Sequence, residues 1–170
     1  MFKHKLNIKI PTLRELLRRD TLKRYFSKFI GLKASPHKLA WSVAIGVFIG
    51  FFIPIGFQSF FIIPLALALE VNLIVAYIST LVSNPITAIP MYYVAVNVGQ
   101  RLTGIEVLWS NFEKVFSEFS FSALMNLGTD SLIVFFTGSL FLGLIFAALL
   151  YIFTYKVVSY YRKTTNLYSP

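Results

Sequence analysis

Long apolar stretches separated by short polar segments dominate the central part of the chain. Between Lys38 and Arg101 lie 62 residues with a single formal charge, Glu70, and residues 131–155 form a second run of 25 residues with none. A helix needs about 20 apolar residues to cross a bilayer. The pattern therefore predicts an all-α polytopic membrane protein with broken or re-entrant helices and amphipathic interfacial helices, and it argues against a soluble enzyme, a disulfide scaffold or a nucleic-acid module.

The first apolar stretch, residues 36–69, is predicted to be a broken helix. Ser35 and Pro36 supply an N-cap and a proline at the first helical position. Further on, Pro54 removes a backbone hydrogen bond and Gly56 permits a turn. The two pieces are about 22 and 16 Å long, against a hydrocarbon core of about 30 Å. They form either a re-entrant helical hairpin, or a Pro-kinked helix or two short tilted spans.

A second broken helix is predicted over residues 72–103. Its break is centred on Asn84 and Pro85, with Thr87 and Pro90 just after them. Paired interruptions are a sequence indicator of a binding site in a membrane protein, because half-helix ends and freed backbone groups can face a ligand. The two broken stretches nevertheless share no residue-by-residue similarity that indicates a repeat.

The remaining segments complete the predicted organisation. Residues 1–34 form a basic cytoplasmic segment, either an amphipathic helix on the leaflet surface or a solvated tail. The membrane domain, 35–165, also contains an amphipathic helix over 105–125, interfacial or simply packed, and a final transmembrane helix over 131–156. Residues 157–170 form a basic cytoplasmic tail.

The net charge of +9 is concentrated at the two ends of the chain. Residues 1–38 carry eleven Lys and Arg against two acids, residues 39–130 carry two against five, and the tail carries three against none. Basic ends that flank apolar runs follow the positive-inside rule. We therefore expect an integral protein of the bacterial inner membrane with both termini cytoplasmic, anionic lipid headgroups as partners of the N-terminal segment, and no nucleic-acid partner.

Residues that carry catalytic or metal chemistry are scarce. The chain has no Cys, and its two His, His4 and His37, lie in the basic N-terminal region. Glu70 is the sole acid of the apolar half, and it is either a headgroup-level residue in a turn or an intramembrane carboxylate with a transport role. Without a carboxylate pair or a nucleophile beside a base, we expect no enzyme activity, no cofactor and no metal site.

The candidate binding site lies at the two breaks. Amides beside broken helices suit a polar or anionic group, which they bind through hydrogen bonds together with helix N-termini. The alternative is that these side chains only cap the half-helices. The candidate ligand-binding residues are Gln58, Asn84, Thr87, Gly56 and Asn72, and the predicted structural breaks are Pro54, Pro85 and Pro90.

These motifs resemble the bacterial membrane family of unknown function DUF2062, over about residues 35–165. The resemblance implies a bacterial inner-membrane protein but no activity. Some members carry the domain attached to a glycosyltransferase, whereas this chain has no Asp-x-Asp metal motif. The positions that match the family pattern are Ser35, Pro36, Gly50, Pro54, Gly56, Gln58, Asn72, Asn84, Pro85, Thr87 and Pro90.

Two hypotheses for the function follow. The first is a small protein that binds or transports a lipid headgroup or a small polar or anionic solute at the proline-broken helices. The second is a non-catalytic membrane scaffold that anchors an envelope-biosynthesis partner such as a glycosyltransferase. Either protein could be a homo-oligomer. A polar cavity that reaches Gln58 and Asn84 would favour the first hypothesis, and a closed, dry junction the second.

Overall fold

The computed structural model describes residues 34–112 and 126–164, and all regular secondary structure within these ranges is helical. The all-α prediction is therefore confirmed for the described residues. Residues 34–159 form one compact unit, while residues 160–164, at the end of the last helix, belong to a second unit. The helices are α1 (Pro36–Phe52), α2 (Gln58–Ala68), α3 (Leu73–Thr80), α4 (Ala88–Thr103) and α5 (Thr129–Thr164).

Helix α1 begins and ends where the local sequence requires it. The Ser35 side chain accepts a hydrogen bond from the Lys38 N–H at 3.1 Å, and Pro36 occupies the first turn, where its missing N–H has no intrahelical partner. The helix ends at Phe52, and Ile53 turns to an extended conformation before Pro54.

Helix α2 runs back along α1, so the two helices form a hairpin. After α2 the Asn72 N–H donates to the Ser42 hydroxyl near the start of α1, at 2.8 Å. The α2 helix is also antiparallel to α3: Ser59 near its start bonds Tyr77, while Ala66 near its end bonds Val71 just before α3. This geometry is that of two antiparallel helices and not of a single kinked helix.

Helices α1 and α3 lie side by side and run in the same direction. Contacts join residues about 30 positions apart at three successive levels, at Ser42, Gly46 and Gly50 of α1. A Cβ on Gly46 would overlap the carbonyl oxygen of Ala76, and a Cβ on Gly50 would lie 2.9 Å from that of Thr80. Glycines four residues apart permit this close approach, which brings the ends of α1 and α3 to the same level.

A second pair of glycines joins α4 to α5. A Cβ on Gly99 would overlap the Val134 carbonyl, and a Cβ on Gly138 would overlap the Ala95 carbonyl. These pairs show that the two helices run in opposite senses. The segment after α4 packs beside Leu127 and Leu132, which flank the start of α5. Helix α4 therefore leads onward to α5 and does not return along α3.

Helix α5 then passes along the full length of α1 in the opposite direction. His37 bonds Tyr151 at 2.7 Å near the start of α1. The Phe52 ring lies 5.3 Å from that of Phe136 at its end. Among the described residues α5 is the one helix long and apolar enough to cross a membrane, while α1 and α2 are shorter apolar helices.

Several predicted boundaries differ from the structure. Residues 105–108, predicted to be helical within 105–125, are not, because Gly104 ends α4 with a positive φ and a new helical turn begins only at 110. The final helix has 36 residues, Thr129–Thr164, rather than 131–156. Pro90, predicted to be a break, lies in the first turn of α4, where a proline removes no intrahelical bond. Residues 1–33, 113–125 and 165–170, and the predictions made for them, lie outside the described residues.

Candidate functional site

The first break, defined as residues 53–57, is closed by the Gln58 side chain. Gln58 is 7% exposed, and its amide nitrogen lies 3.3 Å from the Ile53 carbonyl and 3.5 Å from that of Gly50. These are carbonyls that the end of α1 leaves without helical partners. The same nitrogen donates to the buried Ser83 hydroxyl at 2.5 Å. Gln58 therefore caps α1 and joins the first break to the second.

Tyr92 closes the first break from the other side. This tyrosine lies in α4, has no exposed surface and packs edge-on against Phe135. Its hydroxyl accepts from the Ile55 N–H at 3.0 Å and lies 3.4 Å from the Ile53 carbonyl. The sequence pattern indicates Ser83 only as part of the second break, and it does not indicate Tyr92 at all. The signal for Tyr92 was a tyrosine hydroxyl about two turns after the Asn84-Pro85 motif in an apolar stretch.

The second break, defined as residues 81–87, is satisfied by its own side chains. The side-chain oxygen Oδ1 of Asn84 accepts from the Ile86 and Thr87 N–H groups at 2.9 and 3.2 Å, and the side-chain nitrogen Nδ2 of Asn84 donates to the Leu81 carbonyl at 3.3 Å. The Thr87 hydroxyl donates to the Val82 carbonyl at 2.7 Å and accepts from the Asn84 N–H at 3.0 Å. Such local side-chain to backbone bonds replace the helical ladder.

The two breaks differ in exposure. Around the second break Ile86 is 85% exposed, and Pro85 and Thr87 are also exposed. At the first break the exposed residue is Gly56, whose φ of +96° favours glycine and which has open space where a Cβ would lie. The exposed polar surface at the breaks thus belongs to Gly56 and Thr87 rather than to Gln58.

Asn72 lies apart from the other candidates. Its side-chain oxygen caps α3 by accepting from the Val75 N–H at 3.0 Å, and its own N–H bonds Ser42 near the start of α1. The structure therefore brings Gln58 next to Ser83, the neighbour of Asn84, while it places Asn72 at the opposite end of the hairpin.

The chemistry available at the breaks is hydrogen bonding and helix dipoles. Helices α2 and α4 both begin at a break, and a helix N-terminus carries partial positive charge and free N–H groups. Neither break contains a carboxylate or an imidazole. Within residues 34–112 and 126–164 no group of three His, Cys, Asp or Glu could hold a metal ion.

Comparison with known proteins gives a family but no function. No curated protein and no solved structure matches the chain. The model of one family, described as an uncharacterized protein conserved in bacteria, matches residues 19–166. Since that range covers most of the 170 residues, the chain belongs to the DUF2062 family.

Proposed function

We propose that this chain is an inner-membrane protein that crosses the bilayer twice, once through α3 and α4 and once through α5, with α1 and α2 as a re-entrant hairpin. From Asp130 to Tyr151, α5 rises about 32 Å, close to the thickness of a hydrocarbon core. The end of α1 packs near the middle of that length, where Phe51 and Phe52 contact Gly143 and Phe136. The hairpin then ends halfway across the membrane.

The contacts between α1 and α5 support a common side for the start of α1 and the C-terminal half of α5. His37 and Trp41 near the start of α1 pack against Tyr151 of α5. Aromatic residues of this kind are enriched at membrane interfaces. The charge distribution in the sequence assigns that side to the cytoplasm.

In this arrangement the protein binds or transports a lipid headgroup or a small polar or anionic solute at the breaks. One observation carries this function: α2 and α4 both begin at breaks joined by the Gln58–Ser83 bond, with Gly56 and Thr87 exposed there. Paired half-helix N-termini near the middle of a membrane suit an anionic group. The binding groups are then main-chain N–H groups and Thr87, while Gln58 and Asn84 hold the breaks in shape.

A scaffold function is the second candidate, and the state of Gln58 favours it. The amide nitrogen of Gln58 is engaged by protein groups, and the side chain is buried. A junction closed in this way is suited to holding a rigid shape against a partner, such as an envelope-biosynthesis enzyme, without admitting a solute.

Water access to the second break separates the two candidates. The chain has no cysteine, so single-cysteine variants can be labelled with a small hydrophilic thiol reagent in membrane vesicles. Ile86→Cys reports on the break, and Ile78→Cys is the matched control because Ile78 is an exposed residue of helix α3. The binding function predicts rapid labelling of Ile86→Cys and slow labelling of Ile78→Cys.

Equally slow labelling at both positions would mean a dry break and would leave the scaffold function ahead. Two further variants test the topology with the same reagent. Leu108→Cys should label from outside intact cells, whereas Glu70→Cys should label only after the membrane is opened. Labelling of Glu70→Cys from outside would contradict the proposed hairpin.

A further inference from the structure

An open groove lies at the end of α4, away from both breaks. It has a volume of about 680 Å³, within the range of about 300–1,000 Å³ that is typical of small-molecule sites. The lining residues that matter for its chemistry are Asn97, Gln100, Arg101, Glu106 and Leu108.

The segment that follows α4 forms one wall of the groove. Gly104 ends α4 with a φ of +73°, which turns the chain out of the helix. The Thr103 hydroxyl then accepts from the Ile105 N–H at 3.3 Å, and the Gln100 side chain accepts from the Val107 N–H at 3.0 Å. Because the last turn of α4 holds this segment, Arg101 and Glu106 line the same groove.

The two charges of the groove have opposite signs. Arg101 is the one positive charge between residues 39 and 112 of the sequence. Both Arg101 and Glu106 are exposed, and in the part of the chain that the structure describes neither has an ion-pair partner. A guanidinium presents a fork of donors that fits a phosphate, and a carboxylate accepts from an ammonium group. Together they match a ligand that carries both charges.

The surroundings of the groove point to a lipid. Leu102 and Leu108 are 52% and 72% exposed beside the two charges. Tyr93 of α4 and Trp109 of the segment after it form an aromatic pair, with ring centres 5.1 Å apart. Apolar side chains and aromatic rings next to charged groups are typical of the headgroup level of a membrane.

We propose that this groove binds the zwitterionic headgroup of an aminophospholipid, with the phosphate on Arg101 and the primary ammonium group on Glu106. The adjoining groove, lined by Glu106 and Asp130, adds negative charge on the side of the ammonium group. The proposal rests on the membrane placement described above and is independent of a ligand at the breaks. It assigns the protein a lipid site in the non-cytoplasmic leaflet.

Native mass spectrometry of the full chain, released from nanodiscs, tests the site. Nanodiscs contain phosphatidylethanolamine, phosphatidylglycerol and phosphatidylcholine in equal amounts, and retained lipids are counted. The wild-type chain should retain phosphatidylethanolamine above the other two. Arg101→Gln and Glu106→Gln should each lower that retention about tenfold, since each removes one charge-assisted bond. Lys156→Gln and Glu70→Gln are matched controls and should leave it unchanged.

The possible results distinguish a failure of the proposed lipid site from a failure of the membrane placement on which it rests. Equal retention of the three lipids by the wild-type chain, or unchanged retention in both groove variants, would overturn the lipid site. Competition by soluble phosphoethanolamine would show that the two charges recognise the headgroup itself, as proposed. Extraction of the chain from membranes by alkaline carbonate would instead overturn the membrane placement and the proposed function together.

Discussion

In both breaks, side chains satisfy backbone groups that the interrupted helix leaves free, but the two breaks use side chains from different places. The first break depends on side chains from elsewhere: Gln58 at the start of α2 and Tyr92 from α4 satisfy the groups that α1 leaves free. The second break is satisfied by Asn84 and Thr87, which belong to it. The first break is therefore stable only when the helices are assembled, whereas the second is a local motif that the sequence alone specifies.

The breaks also redirect the chain differently. Gly56 adopts a φ of +96° in the first break, while every described residue from 81 to 87 has a negative φ. After the left-handed residue α2 returns along α1, whereas α4 leads onward to α5. The close contacts of Gly46 and Gly50 with α3 hold both breaks at one level. Separating α1 from α3 is therefore the most damaging change we expect.

Gly46→Ala should have the largest effect. The new methyl group would overlap the Ala76 carbonyl, which belongs to a helix backbone and cannot rotate away. We expect a loss of about 3 kcal/mol in the free energy of unfolding, seen as a much lower melting temperature in detergent. Gly143→Ala is the control, because a Cβ there lies 3.2 Å from the nearest atom, a Phe48 ring carbon. Equal melting of the two variants would contradict the close packing of α1 and α3.

Replacing the two amides compares the breaks directly. Gln58→Leu should lower the free energy of unfolding by about 2 to 3 kcal/mol, because the carbonyl of Ile53 and the hydroxyl of Ser83 lose a partner in a buried site. Asn84→Leu should cost less than about 1 kcal/mol if water reaches the second break and replaces the lost bonds.

Thermal melting of both variants in the same detergent measures this difference. A larger loss for Asn84→Leu would mean that the second break faces an apolar environment, where unsatisfied backbone groups are costly. That result would remove the basis for a solute site at Thr87.

Local signals in the sequence predicted the parts of the fold that local residues determine. Ser35 and Pro36 start α1, and Pro54 with Gly56 separates α1 from α2, as their chemistry requires. The role of Tyr92 could not be predicted, because its partner Ile55 is 37 residues away. The register of α1 and α3 was equally hidden, since small residues such as Gly46 permit a close contact without specifying the partner helix.

The difference between local signals and long-range packing also explains why the candidate site could be predicted only in part. The polar residues at the breaks were identified from their position beside Pro54 and Pro85, but residue type does not show whether an amide faces a ligand or caps a helix. Asn72 was grouped with them although it caps α3 at the other end of the hairpin. Only the direction of each helix, which depends on long-range packing, separates these positions.

Tyr92→Phe should have a smaller effect that is centred on the first break. The ring keeps its contact with Phe135, and the change removes only the hydroxyl that accepts from Ile55. We expect a loss of about 1 kcal/mol in the free energy of unfolding. Because Tyr92 and Gln58 share the Ile53 carbonyl, the double variant should deviate from additivity by at least about 0.5 kcal/mol. The pair Tyr92→Phe and Asn84→Leu should instead be additive, and coupling there would contradict the independence of the second break.

Thr87→Val should have the smallest effect, and it tests how the second break holds itself together. Valine keeps the shape of threonine but removes the bonds to the Val82 carbonyl and the Asn84 N–H, while the two bonds accepted by the Asn84 side chain remain. At this exposed position we expect a loss of about 0.5 to 1 kcal/mol, with Thr87→Ser close to the wild-type chain because serine keeps the hydroxyl. Amide hydrogen exchange should show the change locally, at Asn84 and not at Ile55. Faster exchange at Ile55 in Thr87→Val would mean that the two breaks open together, and the contrast between a local and an assembled break would then be wrong.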